Sequence, residues 1–284
     1  TRAEWDVSLP PPPGLAADVV LHAAAWTDVD GAEADPQEAA AVNVGGTANV
    51  AELGVPLVYY STDYVFDGKS GPYAEEDPPN PISVYGRTKL EAEQIVRERV
   101  PRHLIVRTTA VYGWDRGSRN FAMQVWERLG AGQPLRVPHD QLCNPTLAEY
   151  LAETSLRLLQ EGVEGVVNVV GRDRMSRADL ARQLARAMAL DPALVAAVPT
   201  NELSQKATRP LAGGLKIDKL ARLLGTAPLD LAESLKRFRR GWRADTHTTG
   251  APNAGAKAAT GEAEQLKQEI LDKVRRYWEV AHQP

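Results

Sequence analysis

The chain has 284 residues, 43% of them hydrophobic and 25% charged, which is enough apolar material for one large or two small packed domains. A net charge of −4 and a pI near 5.8 exclude a general electrostatic attraction to nucleic acid or anionic membrane, and no apolar run reaches bilayer length. The single cysteine, Cys143, excludes an internal disulfide framework and a Cys-based zinc site; it reads as a small core residue in a chain suited to a reducing cytoplasm.

The chain begins at Thr1 and soon meets the run Pro10 to Pro13, which favours polyproline II and cannot belong to a central strand. Residues 1–17 are therefore expected to be irregular. Asp18 to Ala25 reads as a buried parallel strand ending in the small residues Ala23, Ala24 and Ala25. A helical pattern covers 36–53, a strand 56–62, a helix about 84–100 and a strand His103 to Thr109. Another strand fits Gly165 to Val170. Ser176 opens a helix to Leu190 with a capping-box start, and Asp218 to Leu224 and Asp230 to Phe238 are shorter helices, the former stopped by Gly225. Alternation of short apolar strands with helices predicts an α/β fold on a parallel sheet. The Ala-, Gly- and Thr-rich stretch within 242–263 predicts a flexible linker, and 264–284 an amphipathic helix.

One pair of residues carries chemistry. Tyr85 and Lys89 lie four apart, so on a helix they share a face. A phenol exchanges protons poorly at neutral pH, but an adjacent ammonium lowers its pKa towards the working range. Such a pair suits protonation of a carbonyl oxygen while hydride reaches the carbon. Thr62, at the carboxyl end of a predicted strand, stands where open parallel sheets bind ligands; as a purely structural residue it would cap a turn.

The pair does not stand alone. Tyr60-Ser61-Thr62-Asp63-Tyr64-Val65-Phe66-Asp67-Gly68 and Pro79-Asn80-Pro81 precede it, and Arg107-Thr108-Thr109-Ala110-Val111-Tyr112-Gly113 follows. Together these resemble the extended short-chain dehydrogenase/reductase family, over roughly residues 18–240, in the branch of the RmlD-like dTDP-4-dehydrorhamnose reductases. The resemblance implies a Rossmann-like unit over 18–241, with 18–112 and 140–170 mainly sheet core and 113–139 and 171–241 mainly a smaller substrate-binding part. It also implies NAD(P)H-dependent reduction of a 4-keto-6-deoxy nucleotide sugar.

In that family Thr62, Tyr85 and Lys89 match the catalytic residues. Tyr85, Lys89, Ala23, Ala24, Ala25 and Asn43 fall at cofactor positions, Asn43 bridging to the lysine through water. Thr62, Asp63, Asn120, Gln141 and Arg209 fall at substrate positions, Arg209 near the nucleotide or its diphosphate. His22 departs from the usual asparagine. The resemblance implies no metal, a nucleotide-sugar partner and no nucleic acid or membrane, and it allows a homodimer. It leaves open an epimerase or dehydratase on the same fold, or a regulatory subunit like the beta subunit of methionine adenosyltransferase. Leu266 to Pro284 resembles the N-terminal segment of PLP-dependent dehydratases acting on CDP-4-keto-6-deoxyhexoses, which would make it the start of a fused second enzyme.

The largest departure lies at the front. No G-x-G-x-x-G or G-x-x-G-x-x-G occurs in the chain, and the seventeen residues before Asp18 are too few for a βαβ unit of ~30 residues. The chain is therefore expected to be truncated at its N-terminus, without the first strand, turn and helix, and to bind a nicotinamide dinucleotide negligibly on its own.

Overall fold

The computed structural model describes residues 5–248. Beyond an irregular opening, β1 is Val20–His22, a shorter strand than the sequence predicts, and Ala23 to Ala25 continue without pairing. Next comes a short helix that the sequence reading missed, α1 (Val29–Ala34), capped by Asp28, whose carboxylate accepts the Gly31 N–H. α2 (Pro36–Ala40) leads through a π-helical turn, Ala41–Gly45, into α3 (Gly46–Ala51). β2 (Leu57–Thr62), α4 (Val84–Arg99) and β3 (His103–Thr108) fall where the sequence places them, and Ser83 caps α4 through the Gly86 N–H.

The chain then leaves the sheet. It forms β4 (Val111–Tyr112), α5 (Phe121–Gly130), β5 (Leu135–Pro138), β6 (Leu142–Cys143) and β7 (Thr146–Leu147). It returns through α6 (Ala148–Gln160) to β8 (Gly165–Asn168). β9 (Met175–Ser176), α7 (Arg177–Ala187), β10 (Val195–Val198), α8 (Asp218–Leu224) and α9 (Leu231–Thr248) follow. α9 runs on to Thr248, so 242–248 is helix where a linker was expected; the predicted terminal helix at 264–284 lies outside the described residues.

The main sheet is parallel, in the order β1-β2-β3-β8, with Thr62 opposite Thr108 and Arg107 opposite Asn168. Its strands are covered on both faces, so alternate side chains enter different cores. Leu57, Tyr59 and Ile105 pack with Val50, Ala92 and Val96 under α3 and α4. Val58, Leu104 and Val106 pack with Leu151, Leu158 and Leu220 under α6 and α8. A separate cluster, built on Tyr112, Val125, Leu147, Leu184 and Phe238, holds α5, α7 and α9 together as the smaller part. Among the described residues no helix is long and apolar enough to cross a membrane.

Candidate active site

A cleft of about 960 Å³ opens beyond the carboxyl ends of β2 and β3, between the sheet and the smaller part. Its wall includes Thr62, Asp63, Tyr85, Asn120, Gln141 and Arg209. Residues spread over 148 positions of sequence thus meet on one surface.

Tyr85 lies in the first turn of α4, and its ring meets Tyr64 edge-on at 5.6 Å between centroids. The close approach depends on Gly86, where a Cβ would collide with the Tyr64 carbonyl. The Thr62 hydroxyl, on the same cleft wall, accepts the Tyr64 N–H at 3.2 Å. Burial raises the phenol well above its ordinary range, and the nearby Thr62 hydroxyl opposes that shift only in part.

Lys89 is one turn further along the same helix face, but its amine does not reach the phenol. It donates to the Tyr60 carbonyl at 2.7 Å and sits 4.1 Å from the centre of the Tyr59 ring. It is 2% exposed, and burial lowers its pKa to about 7, with Glu93 opposing the shift. The expected acidification of Tyr85 by Lys89 is therefore absent from this arrangement: burial moves both groups towards their neutral forms. The pair shares a helix face, as the spacing predicts, without sharing a hydrogen bond.

Asn43 is likewise away from the cleft wall. Its Oδ1 accepts the Trp26 N–H at 2.8 Å, and its Nδ2 donates to the Trp26 carbonyl and to Thr88 Oγ1 at 2.9 Å. It ties the end of β1 to α4 directly. His22 bonds Thr47 Oγ1 at 3.1 Å, and burial followed by the Lys89 charge lowers its pKa to about 4, so it is a neutral packing residue. Ala23 and Ala24 are exposed just past β1.

On the substrate side, Asp63 is buried, accepts the Gly214 N–H at 3.2 Å and has its pKa raised to about 6, chiefly by burial. Asn120 caps α5 through the Ala122 N–H and donates to the Gly113 carbonyl. Gln141 donates to Thr200 Oγ1 and Gln205 Oε1. Cys143 is buried and its thiol is pushed up to about 12, as expected of an inert core residue. The sequence reading missed Trp26 and Arg177, both on the cleft wall; the Arg177 guanidinium lies 4.3 Å over the Phe121 ring. Ala110, also on the wall, holds a left-handed backbone at φ 45, a strained conformation for a residue other than glycine.

The nicotinamide end of a dinucleotide would meet Thr62 and Tyr85, which line the cleft at the sheet's carboxyl edge; Ala23 and Ala24 are exposed just past β1 and lie outside its wall. At the other end, a Gly-rich turn leading into a helix, the usual cradle for the pyrophosphate, is not found among the described residues.

A parallel sheet with its cleft beyond the strand ends, Thr62 and Tyr85 on the wall, is the α/β architecture of a nucleotide-dependent enzyme. The family model described as the RmlD substrate binding domain matches residues 14–242, and the chain belongs to that family. It is 37% identical over 243 residues to a dTDP-4-dehydrorhamnose reductase of Sinorhizobium fredii, covering 78% of this chain and 80% of the relative. A probable low-salt glycan biosynthesis reductase of Haloferax volcanii is 35% identical over 227 residues, covering 77% and 75%. Among solved structures, a dTDP-4-dehydrorhamnose reductase from Bacillus anthracis in complex with NADP superposes with a TM-score of 0.71 at 32% identity, over 78% of this chain and 79% of that one.

Proposed function

We propose that this chain reduces the 4-keto group of a nucleotide-linked 6-deoxysugar to a hydroxyl. It is an NAD(P)-dependent oxidoreductase of the RmlD family, and its reductase relatives act in deoxysugar chemistry. The observation that carries the residue assignment is the placing of Thr62, at the end of β2, and Tyr85, in the first turn of α4, on the wall of one cleft.

NAD(P)H, when bound, supplies the hydride that the carbonyl carbon accepts. The ketone oxygen sits between the two hydroxyls. Thr62 holds it by a hydrogen bond, and Tyr85 transfers its proton as negative charge develops there. Lys89, one helical turn further on, would hold the nicotinamide ribose. Its pKa near 7 means that an added partner oxygen restores the ammonium at neutral pH. Gln141 and Asn120 contact the sugar, and the Arg209 guanidinium, a planar fork, suits the diphosphate.

Tyr85→Phe removes the proton and nothing else from the wall. In turnover assays of NADPH oxidation by dTDP-4-dehydrorhamnose, run on the chain extended at its N-terminus by a family strand, Gly-rich turn and helix, it is expected to lower kcat by about 10²–10⁴-fold with an unchanged melting temperature. Turnover equal to that of the unaltered chain would remove this mechanism.

A further inference from the structure

Arg209 is held in place by something the reductase chemistry does not mention. α1 carries Asp30 and Glu33 three residues apart, on one helical face. Glu33 Oε1 accepts the N–H of Val84, the residue before Tyr85, at 2.7 Å. Asp30 reaches the other way. Its Oδ1 accepts the Ala207 N–H at 2.9 Å, and its Oδ2 pairs with Arg209 Nη2 at 3.0 Å. One short helix therefore brackets the cleft, touching the catalytic helix on one side and the 207–209 segment on the other.

The Arg209 side chain is only 9% exposed, and its Nη1 is buried with no hydrogen-bond partner. A buried guanidinium nitrogen left unsatisfied is costly, and here it belongs to a residue on the wall of the nucleotide-sized cleft. Beyond Arg209 the backbone is fixed again: Ala212 N–H donates to the Gly68 carbonyl, and Gly71 N–H to the Ala212 carbonyl. Gly68, at φ 69, is required there, because a Cβ would overlap Pro210. Arg209 thus lies between two anchors, the 68–71 ladder and the Asp30 carboxylate.

We infer that Asp30 is a positioning residue for anion recognition: it fixes both the backbone at Ala207 and one edge of the Arg209 guanidinium on the cleft wall, holding the guanidinium for the substrate's diphosphate to reach. This rests on the nucleotide-sugar reading above. It makes a prediction opposite in sign to simple electrostatics. Removing a negative charge near an anion site should tighten anion binding; removing this one loosens the grip, because asparagine can satisfy only one of the two donors that Asp30 accepts.

The test is calorimetric titration of the full chain with dTDP, and with thymidine as a probe that lacks the diphosphate. Asp30→Asn is expected to weaken dTDP binding roughly tenfold while leaving thymidine binding and the melting temperature unchanged. Arg209→Gln is expected to weaken dTDP at least as much, and adding Asp30→Asn to it should cost nothing further, because the two residues act as one unit. Equal or tighter dTDP binding by Asp30→Asn overturns the inference, as does a full additional loss in the double variant. Should Asp30→Asn fail to fold, Asp30→Glu keeps the charge and shifts both oxygens by one methylene; the same loss is expected, and retained affinity again overturns the inference. Unaltered dTDP binding by Arg209→Gln would instead sink the diphosphate assignment, and absence of dTDP binding by the native chain would sink the nucleotide-sugar reading itself.

Discussion

Two buried charges one turn apart on α4 are treated in opposite ways. Glu93, fully buried, accepts Arg107 Nε at 2.9 Å and Nη2 at 2.7 Å, the Ser61 hydroxyl at 2.6 Å and Arg97 Nη2 at 2.9 Å. Arg107, 1% exposed, also donates to the Glu75 carbonyl at 3.1 Å. Both ions are saturated, and together they bolt α4 to β2 and β3. Lys89 is as deeply buried but has one carbonyl and one ring face for its ammonium. A saturated ion pair sets geometry and is indifferent to ligands. An undersupplied cation is metastable, and a ligand oxygen beside it gains what the fold withholds.

The largest effect comes from breaking the saturated pair. Glu93→Ala leaves the Arg107 guanidinium buried without its counter-ion and should cost about 3–5 kcal/mol in urea-induced unfolding. The combination of Glu93→Leu with Arg107→Met should recover most of that loss; a loss under 1 kcal/mol for Glu93→Ala would show that the network is ornamental.

Lys89→Met tests the other side. It should raise the melting temperature at pH 6 by a few degrees while abolishing keto-sugar reduction, because the fold no longer buries an undersupplied charge. The sign of the pH dependence follows from the lowered pKa. Between pH about 7 and about 10, the unfolded chain holds a proton on Lys89 that the folded chain has released, so native stability rises with pH across that window. The difference in melting temperature between Lys89→Met and the native chain should therefore shrink from pH 7 to pH 9.5. A constant difference would mean that Lys89 titrates normally. The smallest effect is expected at the rim: Arg97, 37% exposed on the same carboxylate, should cost under about 1 kcal/mol when changed to Ala.

What could be read from residues alone follows the same division. The four-residue step from Tyr85 to Lys89 and the placing of Thr62 at a strand end depend on local periodicity, and the helix and strand appear where that periodicity puts them. Where the Lys89 amine points depends on the Tyr60 carbonyl, a backbone group with no signature in the sequence. Arg107, directly after the apolar run Leu104-Ile105-Val106, was a readable signal that a buried partner exists, yet Glu93 looks like any charge on a solvated helix. The α1 bracket was hidden for another reason. Asp28 is a good cap, but Gly31 weakens the helical pattern behind it, and Asp30 finds its partners 177 and 179 positions away. The family resemblance assigns Asn43 a cofactor position; its amide bonds to Trp26 and Thr88 have no signature in the sequence.

The π-helical turn at Ala41–Gly45 has a consequence for how this chain can be altered. Such a turn holds one more residue than regular helix. Removing one residue inside that turn would let it close to regular helix with its flanks nearly in phase, whereas removing one from the regular helix on either side would swing everything beyond the cut by about 100° about the axis. Asn43 and Thr47 could then no longer face Trp26 and His22 together. The spacing there is a gauge length, and indels that a surface loop would absorb should be intolerable.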